Sequence, residues 1–183
     1  MRHGRTGVAV TTLLCAVVLA ACTPDPVVQP TPSPTPTVAT PTETAAERQE
    51  RLDYAAAEKA YRTFRAEYGR VLRAGGAKEP TKVMKETAGG DYLATFTEVI
   101  RNYKESGSQV KGIEKIRYVR TDGYGPRELS LEVCEDGTKT TTLLPSGESK
   151  VGEVRTANLQ VKKLGAEWKI WAGTGMLVNS CAT

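Results

Sequence analysis

The chain has 183 residues, with 25 Lys+Arg against 21 Asp+Glu for a formal net charge of +4. The surplus is small and the basic residues are interspersed with acids, so a solvated exterior is expected and no nucleic-acid surface. The single histidine is His3. Everything beyond it therefore lacks Ser-His-Asp and Cys-His catalysis and the commonest transition-metal ligand.

The N-terminus reads in three parts. Met1 to Thr6 carries Arg2 and Arg5 and no acid, Gly7 to Leu19 is apolar or small apart from Thr11 and Thr12, and Ala20 and Ala21 follow. Charged, apolar, small is the order of a secretory signal. The apolar run is shorter than the roughly 20 residues that a spanning helix needs. Leu19-Ala20-Ala21-Cys22 resembles the lipobox of bacterial lipoproteins. That resemblance implies a signal peptide over residues 1–21 and a diacylglycerol on the Cys22 thiol. It places the protein at the extracellular face of the cytoplasmic membrane, with the membrane as a partner through the lipid anchor. Two acyl chains suit this role, since a single chain binds only marginally.

Residues 22–46 form the lipidated Cys and a Pro/Thr-rich linker. They hold seven of the ten prolines: Pro24, Pro26, Pro30, Pro32, Pro34, Pro36 and Pro41. Proline fixes φ and removes a donor, so an extended polyproline spacer is expected, at about 3.1 Å per residue. Its full reach is on the order of 70 Å. Thr31, Thr35, Thr37, Thr40 and Thr42 leave open an O-glycosylated stalk instead.

Residues 47–183 have the size of one domain. Thr44-Ala45-Ala46-Glu47 is a capping box, and Ala57, Tyr61, Phe64, Tyr68 and Val71 draw one apolar helical stripe behind it. Glu47–Arg51 and Glu58–Arg62 are acid-first i,i+4 pairs. Gly75-Gly76 ends this helix. Pro80-Thr81 opens a short second helix to about Ala88, and Asp91 is expected to cap a third that carries Leu93, Phe96, Val99 or Ile100, and Tyr103 and closes at Gly107.

From Gln109 the period becomes two. Ile116 and Tyr118 share a face, as do Leu129, Leu131 and Val133, with Ser130, Glu132 and Cys134 opposite. Ala157, Leu159 and Val161 follow, then Trp168 and Ile170, with Trp171 on the other face. Asp122 to Pro126, Pro145-Ser146-Gly147 and Leu164-Gly165-Ala166 mark turns. Three helices before about four antiparallel strands make the domain α+β. Gly123-Tyr124-Gly125 and Gly173-Thr174-Gly175 lack the rest of a dinucleotide fingerprint and read as turns, so no cofactor is expected. Glu135-Asp136-Gly137 lacks calcium-loop spacing and reads as a turn, so no metal site is expected.

The succession of helices, the Ser106-Gly107 stop and the late Gly165-x-x-Trp168-Lys169-Ile170 resemble the nuclear transport factor 2-like cone fold. Gly89 to Leu93, Val133-Cys134 and Cys181 add a narrower resemblance to actinobacterial secreted lipoproteins of that fold. The resemblance implies three N-terminal helices packed on a curved antiparallel sheet, and no catalytic residue maps onto it. With Cys15 in the signal and Cys22 acylated, Cys134 and Cys181 are left to form a disulfide in an oxidising compartment. Tyr61, Phe64, Tyr68, Phe96, Tyr103, Tyr118 and Trp168 are the candidate lining of a cone pocket. The functional expectation is a tethered, non-catalytic binding module of the cell envelope, taking an apolar small ligand or an envelope protein. The alternative is an enzyme of the ketosteroid-isomerase-like type, with Asp/Glu and Tyr in the pocket.

Overall fold

A capping box starts the first helix in the computed structural model, which describes residues 43–181. The signal segment, Cys22 and most of the linker lie outside the described residues. The Thr44 hydroxyl accepts from the Glu47 N–H at 3.2 Å, and a Glu47 carboxylate oxygen accepts from the Thr44 N–H at 2.7 Å. Helix α1 then runs Ala45–Arg73 and buries the expected stripe. Because Glu47 is committed to the cap, its pair with Arg51 does not form, and Arg51 binds Glu43 at 2.9 Å instead. Glu58–Arg62 forms at 2.7 Å, an exposed pair worth only a few tenths of a kcal/mol, roughly.

Helix α2 is Lys82–Thr87, with the Thr81 hydroxyl accepting from the Met84 N–H at 3.3 Å. Helix α3 is Gly90–Ser106 and starts one residue before Asp91, so Asp91 lies in its first turn and Gly89 is the cap. The strand beneath dictates that start. Gly89 N–H donates to the Ile170 carbonyl at 2.9 Å. Gly90 has φ +52, and a Cβ there would sit 2.7 Å from the Trp171 ring, so only glycine lets the helix begin on top of this tryptophan. Asp91 still meets the positive end of the helix dipole. No described helix is long and apolar enough to cross a membrane.

Seven strands follow: β1 Gln109–Lys111, β2 Lys115–Tyr124, β3 Glu128–Asp136, β4 Thr141–Leu143, β5 Ser149–Val151, β6 Val154–Leu164 and β7 Glu167–Val178. The four long ones make an antiparallel sheet in the order β2-β3-β6-β7, and the three short ones make a second in the order β1-β4-β5. The domain is thus α+β, with three N-terminal helices on curved antiparallel sheet. Strands of three residues carry too little alternation to be read from sequence.

Register decides which side chains face the helices. Leu129, Leu131 and Val133 of β3 stand opposite Val161, Leu159 and Ala157 of β6. The row continues: β3 does not turn at Glu135-Asp136 but runs on, pairing Glu135 with Arg155. Gly173-Thr174-Gly175 likewise lies within β7 and is no turn. A bulge between Ile116 and Tyr118 moves Tyr118 to the outer face beside Cys134, while Ile116 stays beside Glu135. Cys134, fully buried on the outer face, is bonded to Cys181 with a Cα separation of 5.8 Å.

Asp53 clamps α1 to the sheet. Its Oδ1 accepts from Lys163 Nζ at 2.9 Å, Trp168 Nε1 at 3.1 Å and Gln49 Nε2 at 3.2 Å, and its Oδ2 accepts from the Tyr124 hydroxyl at 3.0 Å. Burial pushes this carboxyl up, but the hydrogen bonds from Lys163, Trp168, Gln49 and Tyr124 together hold it below the usual aspartate value. Asp53→Ala is expected to cost about 2 kcal/mol in urea unfolding, since the buried indole N–H loses its acceptor. The folded value is depressed, so the contribution is present above the unfolded aspartate pKa and is lost as pH falls through the folded one. The gap between wild type and variant should therefore close in strong acid. A gap that persists or widens there would contradict the clamp.

Candidate functional site

Where α1 and α3 lean over β3, β6 and β7, they leave a cavity of about 690 Å³. Tyr61 and Arg65 enter it from α1, and Asp91, Tyr92, Thr95 and Phe96 from α3. Val133 and Glu135 come from β3, and Arg155, Ala157 and Leu159 from β6. Ser130, Asn158 and Gln160, on alternate positions of the same strands, border it from the sheet's other face. Asp122 of β2 and Ala172 to Gly175 of β7 complete the lining. A Cβ on Gly173 would lie 2.7 Å from Leu159 Cδ2 and 3.6 Å from Tyr92 Cδ2.

The walls are apolar and the floor is charged. Arg65 and Glu135 have side chains only 6% and 5% exposed, with Arg65 Nε 2.7 Å from Glu135 Oε1. That nitrogen is close enough to pair charges, yet its N–H does not line up on the oxygen and has no hydrogen-bond acceptor. The other side of the guanidinium donates to Glu114. The Tyr61 hydroxyl donates to Glu135 Oε1, and Arg155 Nε lies 3.8 Å from Glu135 Oε2. The Arg65 guanidinium also stands over the Tyr68 and Phe96 rings, 5.1 and 5.5 Å from their centroids.

Electrostatics follow from this packing. Burial pushes the Glu135 carboxyl above its ordinary 4.5, against the pull of Arg65, and the charge of Glu114 pushes the same way. Burial, then the Glu135 charge, drives the Tyr61 phenol far up, so it stays a proton donor at any working pH. Burial alone would lower Arg65, but Glu135, the buried tyrosines and Glu114 hold it well above its ordinary value. The floor is a set of mutually engaged groups. Among the described residues, no three His, Cys, Asp or Glu side chains are grouped to hold a metal.

Of the seven aromatics expected at a pocket, Tyr61 and Phe96 line the cavity. Phe64 and Tyr68 pack behind Phe96, with centroids 5.3 and 4.7 Å away. The Tyr103 hydroxyl meets the Thr142 hydroxyl at 3.0 Å, against the small sheet. Tyr118 lies on the outer face and donates to Glu132 at 2.7 Å. Trp168 is taken by Asp53. The sequence carries two signals for the charged lining. Arg65 falls four residues after Tyr61, inside the buried stripe, and Glu135 falls two after Val133, on the core face of its strand.

No protein-family model matches this sequence, and no curated protein matches it. Solved structures are similar in fold. The intermembrane space region of a chloroplast protein is 14% identical with a TM-score of 0.47, over 68% of this chain and 95% of that one. A cystatin-like-fold protein from Caulobacter vibrioides is 10% identical with a TM-score of 0.40, over 72% and 91%. A nuclear transport factor 2-like protein with a cystatin-like fold, from Novosphingobium aromaticivorans, is 12% identical with a TM-score of 0.42, over 78% and 95%. Identities this low carry no ligand or activity across.

Proposed function

We propose that this protein is a lipid-anchored binding module of the cell envelope, tethered through Cys22 and holding a small, largely apolar ligand without converting it. The observation that carries the binding reading is the cavity of about 690 Å³, within the roughly 300–1,000 Å³ usual for ligand sites. Its wall is Tyr92, Phe96, Val133, Ala157 and Leu159, and its floor is polar. The anchor reading rests on Leu19 to Cys22. It is supported by the Cys134–Cys181 disulfide, a bond that persists in oxidising compartments.

The binding reading is supported by what the floor groups are already doing. Tyr61 and Arg65 both meet Oε1 of Glu135, and Arg155 lies 3.8 Å from Oε2, so two arginines offset the charge a general base would use. One observation favours the enzyme reading as a second: a tyrosine and a carboxylate do share the cavity floor. Small molecules extracted from protein recovered from its own membranes separate the two. A single retained compound, unchanged on prolonged incubation, supports binding; its conversion supports the enzyme. For the anchor, Cys22→Ala should shift the protein wholly into the soluble fraction without its lipid label. Full retention in the membrane fraction would refute the tether.

A further inference from the structure

The two edges of the main sheet are built differently. Strand β2 is protected as edge strands usually are: it carries Lys115, Arg117 and Arg120 and is broken by two bulges. Strand β7 has no such protection. Its last seven residues, Ala172 to Val178, contain no charge and no proline. Their pairing with β6 is regular from Ala172 onward, the only bulge falling earlier at Gln160/Val161. Met176 and Leu177 are 68% and 60% exposed. The outer side of this strand is met at Ile170 by Ala88 and Gly89 at the end of α2, and at Trp171 by Gly90 at the start of α3. Beyond that point a row of backbone donors and acceptors faces outward.

We propose that Gly173–Val178 of β7 is a self-association edge, pairing antiparallel with the same strand of a second copy. The sequence is self-complementary in the sense that a two-fold axis requires: with no charge on the strand, no like charges oppose one another across the axis. Met176 and Leu177, otherwise wet, are covered on opposite faces of the joined sheet. The disulfide clears the way. In an antiparallel pair, the C-terminal end of each strand approaches the partner's α2, and a tail running straight on would collide there. Cys181 is instead bonded to Cys134 on the outer face of β3, and Asn179 and Ser180 turn with it to lie beside Tyr118 and Val154. The contact is a strand pair with few side chains, below the roughly 1,200 Å² of a standard interface. The dimer is therefore weak in dilute solution and favoured where copies are crowded.

The test uses the full chain in native membranes, with a photoreactive phenylalanine analogue replacing Thr174. Irradiation should yield a crosslinked species of twice the chain's mass. Met176→Lys and Met176→Glu should each reduce it at least five-fold, and co-expressing the two forms should restore it. Absence of the doubled species, crosslinks only to other proteins, or a doubled species indifferent to both substitutions would each overturn the proposal. Unchanged melting of the variants checks that the fold is intact.

Discussion

Replacing Arg65 with methionine is expected to cost about 4 kcal/mol of folding stability in urea unfolding. The side chain touches Glu135 at 2.7 Å and pairs with Glu114 on its other side. Glu114 is partly exposed and can turn to water, but Glu135 is 5% exposed and cannot. Removing the cation thus strands a buried carboxylate, and that is where the cost arises. Removing both charges together, as Arg65→Met with Glu135→Leu, should recover about 2 kcal/mol relative to the single variant. The remaining loss comes from the Tyr61 hydroxyl, which would lose its acceptor. The pH dependence has a definite sign. Glu135 has a raised folded pKa, so its relative stabilisation is present below the unfolded value and is lost as pH rises through the folded one. The single variant should accordingly be weakest at neutral pH and partly recover on acidification. A loss under about 1 kcal/mol, or a double variant worse than the single, would show that the floor is not a coupled ion pair.

Cys181→Ser, or reduction of the wild type, is expected to cost a similar amount. The bond spans a sequence separation of 47, for which the chain-entropy model gives about 4 kcal/mol. That is a large share of the roughly 5–15 kcal/mol that holds a domain together. Cys134 is buried and can remain as a small apolar thiol. Fraying should start where the tail is released, at the Val154–Val178 and Arg155–Leu177 pairs, and hydrogen exchange there should rise first. Two freely titratable thiols in protein purified without reductant, or unchanged stability under reductant, would contradict this.

The helices were legible because their signals are local. The Thr44–Glu47 box and the Ala57-to-Val71 stripe lie within a few turns of one another, and they produce a helix from Ala45 to Arg73. The long strands were legible through alternation, but two bulges interrupt it. The one at Ile116/Tyr118 reverses the face of Tyr118. The one at Gln160/Val161 shifts β7 where Trp171 comes to lie under Gly89 and Gly90. The cavity floor was hidden for a different reason. Arg65 and Glu135 each sit on a core-facing position that the periodicity marks, yet the partnership joins a helix to a strand far along the chain. No local pattern carries that. Three of the seven expected lining aromatics, Tyr103, Tyr118 and Trp168, are instead spent on hydrogen bonds elsewhere.

The proposed ligand site is the space under α3. Gly173→Leu tests it, because a side chain there must grow between Leu159 and Tyr92. The nearest obstacle is the flexible end of Leu159, so folding should survive at a cost of about 1–3 kcal/mol. Native mass spectrometry of full-length wild type and Gly173→Leu, both purified from their own membranes, should show a bound small molecule on the first and none on the second. The same adduct at the same occupancy on both proteins would contradict the account.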